Sequence, residues 1–354
     1  MSDDITNNFH EIYKKEIFPQ FSYLESERKV MYLRLVILDV ILLSLSVVCI
    51  YIAFVKSFSE GLRCLAGFSS FVIAIVAIYI SGMMNLKFVA KLKNTILPKL
   101  LMRFGNIRKL EDNELGSIEK NIYKSKLYEF DECGFEDCFA GNYQGVDFAA
   151  AETVLTTEVK DKDGGTRQVT VFNGLMLSLP YNKKINAYTM IAPKNITSEK
   201  SFKLITLLIL SIIFFILFIT TFSVVILLWF IAIAYGVVVV FKNKELEKVK
   251  LEDVDFDKEY SVKSENQVEA RYLVTPSFME RFKNLKKTYN SKEVRCAFFD
   301  NKVIFAIYMD KNLFEIGSLF HPLSDTRQIE VFCNEINAIF DIIDEFKLSE
   351  KTGL

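Results

Sequence analysis

The sequence predicts an α+β cytosolic domain split by an inserted transmembrane hairpin, with four transmembrane helices in total. Three observations carry that. Residues 204–240 contain no charged side chain. Two more apolar runs, 35–55 and 65–84, lie near the N-terminus. Between and after these runs the hydrophobic period switches between two and 3.6, the marks of strands and helices. Composition agrees. At 51% hydrophobic and 25% charged over 354 residues, the chain is too apolar for an ordinary soluble protein and too charged for a pure membrane bundle.

Residues 1–34 form a charged, cytosolic N-terminal helical segment. Phe9, Ile12, Tyr13 and Ile17 share one face opposite Lys14, Lys15 and Glu16, and Pro19 ends the helix. It reads as a helix packed on its own domain. Residues 35–84 are the first transmembrane hairpin, with a short loop at 56–63. Its one acid, Asp39, lies about a turn inside the interface near Arg34 and reads as a carboxylate that snorkels or pairs locally. Gly67, Ser69, Ser70 and Gly82 allow close helix packing.

Residues 85–203 are the strand-rich half. They open with an amphipathic helix over 86–104, where Leu92, Ile96, Leu100 and Leu101 recur at helical spacing and Pro98 predicts a kink. Strands follow at 143–159 and 167–179, turning at Asp163-Gly164-Gly165, then at 188–191. Residues 204–240 form the second hairpin. As one helix they would run roughly 55 Å at about 1.5 Å per residue, against a hydrocarbon core about 30 Å thick. Two spans turning near Thr220–Ser223 fit instead.

Residues 241–354 are the second, α+β half. A strand is expected at 259–262 and a helix at 267–274. Thr275-Pro276 then starts a helix, with Thr as cap and Pro in the first turn; Phe278, Phe282, Leu285 and Tyr289 share its face. Residues 294–299 and 303–309 make a hairpin about Asp300-Asn301-Lys302. Residues 313–319 read as a further strand. The last helix, 326–348, is capped by Asp325 with Gln328, and its stripe Ile329, Phe332, Ile336, Ile339, Ile343, Phe346 covers a sheet. The two polar halves are expected to pack as one unit.

Positive charge marks the cytoplasmic side of a membrane. Arg28, Lys29 and Arg34 precede the first span, Lys87, Lys91, Lys93, Lys99 and Arg103 follow the second, and Lys242, Lys244, Lys248 and Lys250 follow the third apolar stretch. All agree on a multi-pass protein of the bacterial inner membrane with both termini cytoplasmic. Abundant Lys, Ile, Asn and Phe beside two His and one Trp point to an AT-rich bacterial source. The first apolar run follows a long charged segment, so it reads as an anchor and not a cleaved signal. A net charge of −1 gives no footprint for nucleic acid. The expected partners are the lipid bilayer and a protein partner or lipid head group.

Catalytic signals are sparse. The six cysteines form no disulfide framework and read as free thiols. Residues 130–139 say a motif twice, an aromatic, two acids and a cysteine, and Cys133 with Cys138 could hold a soft metal. Zinc pairs are usually closer and need a second pair, so the stretch reads as an acidic strand-edge loop, with no metal and no cofactor. Neither His10 nor His321 has a nucleophile beside it. Phosphate-loop, nucleophile-elbow, HExxH and kinase motifs are absent. Gly141 and Gly145 flank a strand turn. Asp137, Glu152, Glu269 and Arg271 read as structural ion pairs at the join of the two halves, and no residue is assigned to catalysis.

Two stretches carry a resemblance. One runs Glu136-Asp137-Cys138-Phe139-Ala140-Gly141, then Gly145-Val146-Asp147-Phe148 and Glu152, then Val171-Phe172-Asn173-Gly174-Leu175. The other runs Tyr260-Ser261-Val262, then Val268-Glu269-Ala270-Arg271-Tyr272-Leu273-Val274-Thr275-Pro276, then Met279-Glu280-Arg281. Over roughly residues 85–350 the chain resembles the bacterial membrane family catalogued as domain of unknown function 3137. The resemblance implies architecture and location, and no mechanism. Its motif positions here are Asp137, Gly141, Glu152, Gly174, Glu269, Arg271 and Pro276. The sequence thus points to a non-enzymatic membrane protein presenting a binding or scaffold module. The alternative is a membrane-bound, hydrolase-like enzyme using the carboxylates of 131–152. A transporter is the weakest reading, because the spans offer little polarity beyond Asp39.

Overall fold

A computed structural model of the chain describes residues 15, 19, 22–55, 58–160, 165–194, 246–325 and 327–346. The helix expected near residues 9–17 and the hairpin expected at 204–240 lie outside the described residues.

Helices α1 (Ser22–Phe54) and α2 (Glu60–Leu101) open the fold. Both are long and apolar enough to cross a membrane. The side chains in their apolar stretches face outward; Ile78 is 74% and Phe68 71% exposed. Gly67 lies against Ala53, 3.8 Å from where a Cβ would stand, and Arg63 Nε donates to the Ala53 carbonyl at 3.0 Å. The second span and the amphipathic helix after it, read separately from the sequence, are one helix. Pro98 sits within it without ending it. Its loss of one backbone hydrogen bond is outweighed by a buried face, Leu92, Ile96, Leu97, Leu100 and Leu101, that runs past it on both sides.

The strands are β1 (Asn106–Lys109), β2 (Glu132–Tyr143), β3 (Val146–Lys160), β4 (Thr166–Pro180), β5 (Thr189–Pro193), β6 (Glu247–Val249), β7 (Tyr260–Ser264), β8 (Val294–Phe299) and β9 (Lys302–Tyr308). They form one sheet in the order β1-β2-β3-β4-β9-β8-β5-β7-β6. The helices after α2 are α3 (Asp112–Ser125), α4 (Val254–Glu259), α5 (Gln267–Leu273), α6 (Pro276–Thr288) and α7 (Arg327–Glu345). The chain divides into two compact units.

The first unit comprises Met1–Leu110, Phe139–Tyr143 and Asn312–Asp341. Strand β1 pairs antiparallel with the end of β2, from Asn106↔Asn142 to Lys109↔Phe139. At Gly141 an added Cβ would stand 2.7 Å from the Asn106 carbonyl, so glycine lets these two backbones approach. Aromatic rings fill this unit. Phe139 meets Phe314 edge-on at 4.9 Å, and Tyr143 stacks on Phe340 at 4.2 Å. The strand expected at 313–319 is instead a loop. Leu313, Phe314, Ile316 and Leu319 are buried as a strand face would be. Their backbone partners are side chains, though: Phe314 N–H donates to Glu335 at 2.6 Å and Leu319 N–H to Asn85 at 2.9 Å. With those groups satisfied, no ladder is needed.

The second unit comprises Glu111–Cys138, Gln144–Lys311 and Ile342–Leu354. Helix α3 starts with a capping box of Glu111 and Glu114. The acidic stretch at 130–139, expected as a loop, is largely strand β2. From Glu132 to Glu136 its side chains alternate between exposed and half-buried, as a strand requires. The hairpins expected at 143–179 and 294–309 are present. Strand β3 pairs with β4 from Ala149↔Ser178 to Lys160↔Thr166, and β8 pairs with β9 about Asp300 and Asn301, both with positive φ as a two-residue turn requires. Residues 161–164 of the Asp163-Gly164-Gly165 turn lie outside the described residues.

Strands from before residue 195 and after residue 245 interleave. Ile191 of β5 faces Val262 of β7 on one side and Cys296 of β8 on the other, and Leu177 of β4 faces Phe305 of β9. The two halves share one sheet, in which β9 and β8 of the second half lie between β4 and β5 of the first. Over this sheet Phe278 packs 5.3 Å from Phe298 and 4.9 Å from Phe346, and Phe256 lies 4.9 Å from Tyr260. Each such buried ring contributes about 1.5–3 kcal/mol. Thr275 caps α6, its hydroxyl accepting from Phe278 N–H at 3.3 Å. Thr275→Ala is expected to lower stability by about 1 kcal/mol, read as a shifted denaturation midpoint with unchanged slope.

Candidate functional site

The motif positions fall into two groups. Asp137 and Glu152 lie on the neighbouring strands β2 and β3, 1% and 2% exposed. Glu152 stands opposite Leu175 of β4, and the next pair is Thr153 with Gly174. These acids are buried within the sheet. A recess nearby measures about 20 Å³ and is lined mainly by apolar Ile118, Ile122, Ala149, Met176 and Ile304. Asp131, the other acid of the hydrolase-like alternative, sits in the open. It accepts from Thr157 hydroxyl and Glu158 N–H, both at 2.8 Å, and those bonds hold its carboxyl below the usual range.

Cys133 and Cys138 are five apart in one strand, so alternation puts them on opposite faces. The metal pair weighed from the repeat does not form. Among the described residues no cluster of three His, Cys, Asp or Glu side chains could hold a metal ion. All six thiols are free. Burial pushes Cys133 and Cys333 up to about 12, so neither is a ready nucleophile.

The second group builds a clamp on α5. Asn266 caps this helix, accepting from Val268 and Glu269 N–H. Glu269 reaches back and accepts from Asn186 N–H at 2.6 Å and Ala187 N–H at 3.0 Å. Arg271 reaches the other way, donating from Nε to the Lys250 carbonyl at 3.2 Å. Gln267 donates to Glu247 at 2.8 Å. The sequence expectation was an ion pair at the join of the halves. The join is here, but charge meets backbone on either side of it: one arm holds the chain before residue 195 and the other the chain after residue 245. Such charge-assisted bonds fix position without needing a second ion. Pro276 occupies the first turn of the following α6. Beside α5, Lys183 Nζ donates to the Tyr272 carbonyl at 2.8 Å and lies 4.1 Å from the Tyr272 ring; burial lowers its pKa.

A third cluster, in the first unit, was not singled out from sequence. At the start of α1, Arg28 forks onto Glu25 with Nε and Nη2, both at 2.8 Å, and gives Nη1 to the Leu319 carbonyl at 2.9 Å. Glu25 also accepts from Leu323 N–H at 3.0 Å. Lys93 pairs with Glu315 at 2.9 Å, and Leu92 fills the space above Gly317. The loop 312–325 is thereby locked to the bases of α1 and α2. The available signal was a Glu-x-x-Arg pair one turn apart ahead of an apolar helix. Asp39 lies in the apolar part of α1. Its Oδ1 is buried without a hydrogen bond, and Arg34, five residues earlier, lies on a different side of the helix.

Taken together these features define an α+β protein whose antiparallel sheet is assembled from both sides of a long apolar interruption in the sequence, with two helices, α1 and α2, long and apolar enough to cross a bilayer. The chain belongs to the family described as protein of unknown function (DUF3137), whose model matches residues 170–348. That span holds Gly174, Glu269, Arg271 and Pro276, and leaves Asp137, Gly141 and Glu152 outside it. No curated protein and no solved structure matches the chain.

Proposed function

We propose that this is a multi-pass inner-membrane protein of a bacterial cell, with both termini cytoplasmic, that presents its α+β domain as a binding or scaffold module. The observation that carries the reading is the placement of the two flanks of residues 195–245. Strand β5 leads into that interval and β6 leads out of it, and both pair with β7 in one sheet. A folded sheet lies on one side of a bilayer, because lipid cannot satisfy its edges. An apolar stretch that leaves and re-enters such a sheet crosses an even number of times. Residues 204–240 are long enough for two spans. The basic flanks favour the cytoplasmic side for the domain, and α1 and α2, in contact at Gly67 and Ala53, fit the other hairpin.

Cysteine labelling tests this, and burial dictates the sites. Cys138, Cys296 and Cys333 are buried and would stay unmodified in any topology. Introduced cysteines serve instead. In sealed cells a membrane-impermeant maleimide should modify Ser59→Cys and Thr221→Cys above the wild-type background. Asn284→Cys should react only after permeabilisation. Reaction of Asn284→Cys from outside, or of Thr221→Cys only from inside, would end the reading.

A further inference from the structure

We propose that the outward face of α5 rests on the head groups of anionic lipid at the cytoplasmic leaflet. This rests on the topology just given and names a surface and its partner. The first support is reach. Residue 240 ends the uncharged stretch and Leu246 is the next described residue after it. Six peptide steps span at most about 20 Å. Glu247 opens β6 and is bonded to Gln267, the first residue of α5, at 2.8 Å. The chain therefore holds the N-terminal end of α5 within about 30 Å of that span's exit, a tether that lets it reach a head-group layer roughly 5–8 Å deep.

The second support is what the face presents. Val268 is 76% exposed and Tyr272 47% exposed. They are four apart, hence on one side of the helix, with Arg271 exposed between them. Lys183 lies along the Tyr272 ring, and Lys184 and Lys250 are exposed close by in sequence to the bonded groups. The acids on α5 and β6 are engaged, Glu269 by two backbone N–H groups and Glu247 by Gln267. An apolar residue, an amphipathic tyrosine and basic side chains are what the membrane interface selects.

The chain contains one tryptophan, Trp229, inside the uncharged stretch. Wild-type protein in vesicles with brominated acyl chains reports on that stretch, and Tyr272→Trp in a Trp229→Phe background reports on α5. With phosphatidylglycerol in the vesicles, the residue-272 fluorophore should lose half or more of its emission to bromines near the head groups. In phosphatidylcholine alone, or with Arg271→Glu added, the loss should fall at least twofold; Val268→Trp should behave alike. Quenched Trp229 with an unquenched residue 272 overturns this proposal and leaves the topology standing, as would shielding of residue 272 by a second copy or a protein. Equal quenching in both lipids also overturns it. An unquenched Trp229 removes the topology itself.

Discussion

Gly174→Ala should keep the second unit from folding at ordinary temperatures. A Cβ there would stand 2.2 Å from the Ile307 carbonyl oxygen and 2.7 Å from the Met309 nitrogen, both backbone atoms of the strand and turn alongside. Neither can swing aside as a side chain would. Gly174 also holds φ at +150°, which a side chain disfavours. The pair it belongs to, Gly174↔Tyr308, opens the β4–β9 ladder that joins the chain's two halves, and Asn173 receives the Met309 N–H at 2.9 Å just beyond. Overpacking alone costs about 1–3 kcal/mol and a strained backbone about as much again. The sum, about 2–6 kcal/mol, reaches the lower end of the stability of a typical domain, about 5–15 kcal/mol. The expected readout in detergent is loss of the protease-resistant fragment and of the cooperative thermal transition. Gly116→Ala is the matched control. That glycine lies inside α3 with nothing within 4 Å of an added Cβ, so alanine should be neutral or stabilise by about 0.5–1 kcal/mol. A Gly174→Ala protein that melts like wild type would mean that β4 and β9 do not approach as described.

The contrast between these glycines shows what the sequence could and could not reveal. Gly174 was legible as a motif position, but not its reason, because the crowding atoms come from residues more than a hundred positions away. Local signals were read well where one element decides its own shape: the Thr275-Pro276 start, the Asp300-Asn301 turn and the apolar stripe of α7. They failed where burial imitates a ladder. Residues 313–319 have the apolar spacing of a strand, yet Asn85, Glu335 and Arg28 supply the partners a neighbouring strand would have given. They failed again at Glu269 and Arg271, where charge was visible and its partners, being backbone groups, were not. Residues 132–136 alternate polar and apolar about Gly134, a short strand signal that the paired acids Glu136 and Asp137 then interrupt.

Arg28→Ala should free the loop 312–325 from the helix bases without unfolding the second unit. Arg28 and Glu25 are 6% and 9% exposed, and every bond they make is charge-assisted. Removing the guanidinium strands the Glu25 carboxylate in a largely buried site and leaves the Leu319 carbonyl without its donor. Breaking one partner of a buried pair costs about 3–5 kcal/mol, far above the 0–1 kcal/mol of an exposed pair such as Lys91 with Glu27. The loss should appear as faster hydrogen exchange of amides 314–323, by a hundredfold or more at the Leu319 N–H, and as new protease cleavage within the loop. Lys91→Ala should change neither. The double variant Glu25→Met with Arg28→Met separates two causes. If the penalty is the stranded charge, the double variant should recover most of the protection, because two apolar side chains of similar volume fill the site with no ion to desolvate. If it stays as open as Arg28→Ala, the hydrogen bonds to Leu319 and Leu323 hold the loop and the ion pair only orients them. Unchanged exchange in Arg28→Ala itself would show that Lys93, Asn85 and the Leu92–Gly317 contact suffice, and the lock assigned to Glu25 and Arg28 would have to be withdrawn.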